Sequence, residues 1–286
     1  MKSDARMNDR RKLPYFDFLL QGFSRGEEEL TAAFGRHVHW GYWPDPVAAD
    51  GSVADFAAAA ERLSRKVCDA AGLREGMRVL DAGCGLGGTL ASLNERYGNL
   101  TLAGLNIDSR QLERARQQVE PRSTNRLSFV TADACRLPFA DQSFDAVLAV
   151  ECIFHFPGRR KFFNEARRVL RPGGVLALSD FIPRAATFPL LGAMFLFFRH
   201  SLESFYGHSN NRCTLSRYRS LAQAAGFVPR AEDDITINTR PTYPVIRRLT
   251  PAAGPGARAG ARATRFIEWA SRAGWLRYMI LTFARR

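Results

Sequence analysis

The sequence predicts an α/β fold: a doubly wound, mostly parallel sheet with helices on both faces. Three observations carry this expectation. From Arg78 onward, short apolar runs alternate with helical patterns through five strands. The first run ends in a cluster of glycines, the mark of a tight strand-to-helix turn. The segment before it is helical in pattern and carries no strand signal, so it stands as a separate cap on the sheet.

Residues 1–75 are that helical N-terminal cap. They comprise YFDFLLQGF, an aromatic knot HVHWGYWPDP, and DFAAAAERLSRKVCDAAGL, which stops near Gly72. Residues 76–183 are the strand–helix core. RVLDAG is the first strand, followed by the helix GGTLASLNERYG. LTLAGLN is the second, and Ser109 is placed to cap the helix RQLERARQQV. RLSFVTADA and FDAVLAVEC are the third and fourth strands. RKFFNEARRVLRPGG is a helix stopped by Pro172 and two glycines, and GVLALSDFIP is the fifth strand. Residues 184–286 open with an insertion rich in Phe and Met, then give the helix LSRYRSLAQAAGF and a strand-like DDITINTR. AAGPGARAGARATR reads as an exposed, mobile loop. WLRYMILTFARR alternates enough for a last strand at the sheet's end.

The chain has 286 residues, is 46% hydrophobic and carries a net charge of +13. The last third alone, residues 184–286, has 16 basic and 5 acidic residues, an excess of +11. Such a third suits a nucleic acid, an anionic membrane face or an acidic substrate, or is simply the surface of an arginine-rich protein, since only four of the 41 basic residues are lysine. The five cysteines are scattered, with no C-x-x-C pair and no metal-ligand spacing, which fits a reducing compartment and no metal site. The first twelve residues are polar and charged, unlike a secretory signal. ATFPLLGAMFLFF falls short of the ~20 residues that span a bilayer. A cytoplasmic protein is expected.

VLDAGCGLGG is the most specific stretch. Gly83, Gly85 and Gly88 satisfy G-x-G-x-x-G, which a dinucleotide site also uses. Asp81 argues against a dinucleotide: at the strand's carboxyl end it would repel a pyrophosphate and welcome a cation. The ribose carboxylate of a dinucleotide site is also missing, because Asn106 stands where it is expected. Asp108, two residues later, is the rival, or the cap of the following helix.

D-x-G-C-G-x-G resembles the first motif of the class I S-adenosylmethionine-dependent methyltransferases. TADACRLPFADQSFDAVLAVE and RVLRPGGVLALSD resemble that family's third to fifth strands, so the resemblance spans roughly residues 76–183. Asn106 in place of an acid resembles the subgroup of sterol, tocopherol and ubiquinone/menaquinone methyltransferases and natural-product sugar O-methyltransferases. The resemblance implies a Rossmann-like sheet of seven strands, the last antiparallel, with S-adenosyl-L-methionine as cofactor. It implies cofactor contacts at Asp81, Gly83, Cys84, Gly85 and Gly87, at Asn106, Ile107 and Gln111, and at Asp133, Ala134 and Glu151. An amide at 106 can accept from one ribose hydroxyl and donate to the other.

A hydroxyl acceptor needs a base beside it. His155, just past the fourth strand, is the first candidate, or else a packed core histidine. Asp180, ending the fifth strand, orients that base or binds the acceptor, or else caps a turn. Glu151 contacts the methionine portion or the acceptor, or is the base of a carbon methylation. Trp40, Tyr42 and Trp43 form one aromatic lid candidate or the core of the cap. Phe154 joins them near the fourth strand, and Phe195, Phe198 and Tyr206 come from the insertion. Both lids suit a small, apolar or aromatic acceptor, a natural product, quinone or lipid-like molecule, methylated at oxygen, with carbon or nitrogen as rivals. No base-flipping motif follows the fourth strand, where the residues are ECIFHFPG, so no nucleic-acid partner is expected. Contact with a membrane surface or an anionic substrate through the basic third stays open. So does a protein that uses this fold for another reaction.

Overall fold

In the computed structural model, which describes residues 13–122, 124–250 and 255–286, seven strands form one sheet in the order β3-β2-β1-β4-β5-β7-β6. They are β1 (Arg78–Ala82), β2 (Thr101–Asn106), β3 (Arg126–Thr131), β4 (Phe144–Val150), β5 (Leu170–Pro183), β6 (Phe227–Asp234) and β7 (Leu276–Arg285). The first five pair in parallel. β7 runs antiparallel to both β5 and β6, and is alone in that direction.

Strand parity explains how one sheet supports two cores. Val79, Leu102 and Leu148 pack on one face with Leu63, Val67 and Leu90. Leu80, Val147, Leu176 and Leu178 pack on the other with Phe162, Phe163 and Tyr218. Successive side chains of a strand point to opposite faces, so strands covered on both sides read as unbroken apolar runs. The sheet winds in opposite directions on either side of β1 and β4. Ligands of open α/β sheets bind at such a switch point, outside the carboxyl ends of the strands.

Four sequence expectations are corrected here. β7 is not at the sheet's end but lies between β5 and β6, because its residues Tyr278 to Phe283 are buried. The polar strand FVPRAEDD takes the edge, where charged side chains block further pairing. DDITINTR is strand only as far as Asp234; Thr236–Thr239 is a helical turn. Pro229, the third residue of the true strand, falls at a register shift, where a missing N–H is tolerated.

AAGPGARAGARATR is helix from Pro255 onward, within Pro255–Arg272, and residues 251–254 lie outside the described residues. Ala263, Phe266, Ile267 and Ala270 recur at helical spacing on its buried side. Gly260 belongs there because a Cβ would come within 2.7 Å of the Phe205 ring. Finally, Asp108 rather than Ser109 caps the helix Ser109–Gln118, its carboxylate accepting from the Arg110 N–H at 3.0 Å.

The cap supplies helices Pro14–Ser24, Glu28–Phe34 and Val53–Ala70. The aromatic segment between them crosses the carboxyl ends of the strands. There the Trp40 N–H donates to Glu151, the Gly41 N–H to Thr242 and the Trp43 N–H to the Asn238 carbonyl. Helices Phe188–Phe197 and Arg199–Tyr206 close the same end from the other side.

Candidate active site

Two adjoining cavities open at the carboxyl ends of β1, β2 and β4, with about 870 and 880 Å³ of empty space. Tyr15, Val38, His39, Glu151 and His155 line both and mark their junction.

The first cavity is floored by the turn after β1. Gly83, Gly85 and Gly87 all have positive φ, which only glycine adopts without strain. A Cβ on Gly83 would strike Cys152 Sγ at 2.7 Å, whereas one on Gly85 would meet nothing within 4 Å and project into open space. Asp81 lies at the end of β1, wholly buried, and neither carboxylate oxygen has a hydrogen-bond partner. Burial pushes its carboxyl up to about 7.

On the far wall the Asn106 amide donates to Gln111 Oε1 at 2.8 Å and accepts weakly from the Asp108 N–H at 3.3 Å. Ile107, Asp133 and Ala134 complete that wall, with Asp133 fixed by the Cys135 N–H at 2.8 Å.

Of the cofactor residues expected from the sequence, ten line this cavity: Asp81, Gly83, Cys84, Gly85, Asn106, Ile107, Gln111, Asp133, Ala134 and Glu151. Gly87 does not. It faces Ala115, Val119 and Phe129 of the neighbouring helix and strand, and Gly88 takes its place beneath the cavity. Tyr15, His37, His39 and Thr89 also line it and were not anticipated. Tyr15 and the two histidines come from the cap, whose docking no local motif announces.

His155 sits at the junction. Its Nδ1 lies 3.1 Å from the His208 carbonyl, which can only accept, so Nδ1 carries the proton and Nε2 presents a lone pair. Burial lowers its pKa to about 4, which keeps the ring neutral at ordinary pH. The Tyr15 ring lies along it at 6.1 Å between centroids, and Phe154 flanks it at 4.4 Å.

Glu151 is held at φ 48°, a strained conformation for a side-chain-bearing residue. Its amide donates to Ser179, while its carboxylate accepts from the Trp40 N–H and the Tyr278 hydroxyl. Burial pushes that carboxyl up to about 8, against the pull of those two donors.

The second cavity is apolar. Phe18, Leu19, Trp40, Phe154, Phe181 and Tyr206 are among its walls. Tyr42 and Trp43, expected in the lid, are elsewhere. Lys66 covers the Tyr42 ring at 4.9 Å, and Trp43 is packed against Phe56 with its indole N–H on Asp55. Phe195 and Phe198 face Phe266, behind the cavity wall.

Asp180 is also displaced from the expected rim. It is 0% exposed and bonded to the Arg159 guanidinium at 2.9 Å, to the Tyr218 hydroxyl and to the Phe181 amide. The reason is parity: Leu178, Asp180 and Ile182 face the Phe163 side of the sheet, and only Phe181 turns toward the cavity. Asp180 is the anion of a buried ion pair, which is costly to break, and it lines neither cavity.

Residues 80–178 match the family described as methyltransferase domain. Over 230 residues, 78% of this chain and 77% of the relative, the chain is 37% identical to the protein named methyltransferase GfsG of Streptomyces halstedii. It is 31% identical to the 27-O-demethylrifamycin SV methyltransferase of Amycolatopsis mediterranei (strain S699), covering 78% of each.

The chain belongs to the S-adenosylmethionine-dependent methyltransferases.

Its fold is shared with a solved structure titled the [4+2]-cyclase SpnF, with a TM-score of 0.73 and 24% identity over 93% of this chain and 94% of that one. One fold thus carries more than one chemistry, and the reaction of this methyltransferase must be argued from its site.

S-adenosylmethionine fits the first cavity on observations internal to the methyltransferase. The orphaned Asp81 carboxylate matches the cofactor's ammonium, and the Gly85 surface leaves room that any Cβ would take. Asn106 and Gln111 would hold the ribose, and Asp133, Ala134 and Ile107 the adenine.

Asn106→Ala is expected to raise the dissociation constant of S-adenosylhomocysteine about tenfold, the worth of one to two lost hydrogen bonds. Asp108→Ala is expected to leave it within about twofold and to cost ~1 kcal/mol of stability through the lost cap. Calorimetric titration and thermal melting of both variants check this pair, and the opposite pattern would move the ribose contact to Asp108.

Proposed function

We propose that this methyltransferase transfers the methyl group to a hydroxyl of a small, largely apolar acceptor seated in the second cavity, with His155 as general base. The observation that carries the reading is the His155–His208 hydrogen bond, which puts the proton on Nδ1 and leaves a neutral Nε2 lone pair on a residue that lines both cavities. When bound, S-adenosylmethionine supplies an electrophilic methyl on a sulfonium. His155 then takes the hydroxyl proton as the oxygen begins to bond. The walls from Tyr15, Trp40 and Phe154 exclude water and hold the acceptor in line.

Asn211 reaches the same cavity with a buried Oδ1 that has no partner. An acceptor bearing a further hydroxyl group on an apolar frame would satisfy it. Relatives named as O-methyltransferases support the choice of oxygen. Glu151 would be the base of a carbon methylation, but a carboxyl whose pKa is pushed up to about 8 holds its proton at neutral pH. His155 does not.

The experiment is incubation with cofactor labelled in the methyl group, offered separately to apolar hydroxylated natural products and to RNA. Label is expected in an O-methyl ether of the first. Label in RNA, or on carbon, would overturn the reading.

A further inference from the structure

The helix Pro255–Arg272 carries Arg258, Arg262, Arg265, Trp269 and Arg272 on its exposed side, at spacings of four, three, four and three residues. That spacing makes one continuous stripe along a single face. Its one acidic residue, Glu268, lies beside the stripe and is already engaged by Arg247 and Arg272. Among the described residues Arg258, Arg262 and Arg265 meet no carboxylate. Like charges one helical turn apart repel, so the stripe weakens its own helix unless something anionic covers it.

Apolar groups stand beside these charges. Among the described residues seven large hydrophobic side chains are exposed, and four belong to this corner: Leu190 at 56%, Leu196 at 62%, Phe197 at 83% and Trp269 at 42%. A shallow depression between the two helices is floored by Met194, Phe198 and Phe266 and edged by Arg262 and Arg265. Phe198 and Phe266 stack at 4.6 Å, so the corner is built and not a loose flap. The inner face of Pro255–Arg272, through Ile267, and the adjoining helix Arg199–Tyr206, through Leu202 and Phe205, wall the second cavity.

We propose that this corner docks on an anionic lipid surface, with the arginine stripe on the headgroups and Leu190, Leu196, Phe197 and Trp269 in the interfacial layer. Exposed aromatic and aliphatic rings rimmed by unpaired guanidiniums match a surface that is negative outside and apolar beneath. No single helix among the described residues is long and apolar enough to cross a membrane, and Ala185–Phe197 meets Arg199–Tyr206 at 69°. Only together are these two helices long and apolar enough, and with the bend between them and Leu191 and Leu202 buried in the protein, they are placed on the surface. The docking rests on the outer faces alone and does not depend on which acceptor the cavity takes.

The test is co-sedimentation of the full chain with phosphatidylcholine vesicles, with and without phosphatidylglycerol. The bound fraction is expected to rise with the anionic lipid and to fall with salt. Arg262→Glu together with Arg265→Glu is expected to weaken binding at least 25-fold, about fivefold per arginine removed. Phe197→Ser is expected to lower the part that survives high salt. S-adenosylhomocysteine should raise the melting temperature of these variants and of the parent alike, which would show that they are folded.

Equal binding to both vesicle types, binding to neither, or parental binding by the double variant would overturn the proposal. Retention on immobilised polyglutamate with no vesicle binding would also overturn it and would assign the stripe to an acidic protein.

Discussion

His155→Ala is expected to lower kcat by about 10²- to 10⁴-fold while leaving the dissociation constant of S-adenosylhomocysteine within about twofold. The ring touches the cofactor cavity only at its edge, where it meets the second cavity. Its loss therefore removes a proton acceptor and not a cofactor contact. A purely packed histidine would behave differently. Its removal would open a gap beside Phe154 and Tyr15, lower the melting temperature and disturb both ligands together. Partial recovery of turnover by added imidazole would separate the two, because a missing base can be supplied from solution and a missing core residue cannot. Full turnover in the variant would remove His155 from the reaction.

The pH dependence follows from the same burial. The folded-state pKa is depressed to about 4, so the base stays competent until pH falls through that value. At saturating cofactor, kcat should be flat through neutrality and decline only toward pH 4. It should show no break near 6.5, the ordinary value for histidine. Protonation must also be forced on a half-buried ring. Stability contributed by the neutral form is complete above 6.5 and is lost progressively as pH falls toward 4.

The cofactor half of the site was legible in the sequence, and the acceptor half was not, for a physical reason. The turn after β1 needs glycines because its backbone must take positive φ and let a ligand approach, and those demands fall on consecutive residues. Asn106 and Asp133 sit at strand ends in the same local unit. The acceptor cavity, by contrast, joins Phe18 of the first helix, Phe154 after β4 and Ile267 of the last helix, and no spacing rule connects them.

Parity accounts for the misplaced residues. Asp180 and Phe181 are neighbours in the chain but face opposite sides of β5, and a motif names the strand end without saying which side is wet. Trp43 differs from Trp40 in the same way. Both are aromatic residues of one segment, yet one faces the cavity and the other the helix Val53–Ala70. The last helix was missed because its loop-like composition of glycine, alanine and arginine hid a four-and-three repeat of buried positions.

Asp81→Asn is expected to have the second large effect, and to separate binding from stability. Above pH 7 the variant should bind S-adenosylhomocysteine about 10- to 100-fold more weakly, the worth of a charge-assisted hydrogen bond in a dry site. Wild-type affinity should itself fall as pH drops below about 7, by up to tenfold per unit, because binding an ammonium then requires a proton to leave the carboxyl. Near pH 6 each binding event should release close to one proton, seen by calorimetry in buffers of different ionisation enthalpy. The variant should show neither slope nor release.

Without ligand the sign reverses. The folded state holds the Asp81 proton more tightly than the unfolded chain does, so wild-type stability declines as pH rises from about 4 to about 7 and then levels off. The wild-type penalty at pH 8 is at most ~4 kcal/mol. Asn avoids it, although its own amide is buried without partners. The ligand-free variant should therefore melt no lower than the wild type at pH 8, while gaining little when S-adenosylhomocysteine is added. A variant that kept the wild-type affinity and its pH slope would show that the ammonium is held elsewhere. A variant that lost both affinity and stability would show that Asp81 supports the fold of the glycine turn. Only weakened binding on an undamaged or stabilised fold fits a carboxylate buried at β1 to await a cation.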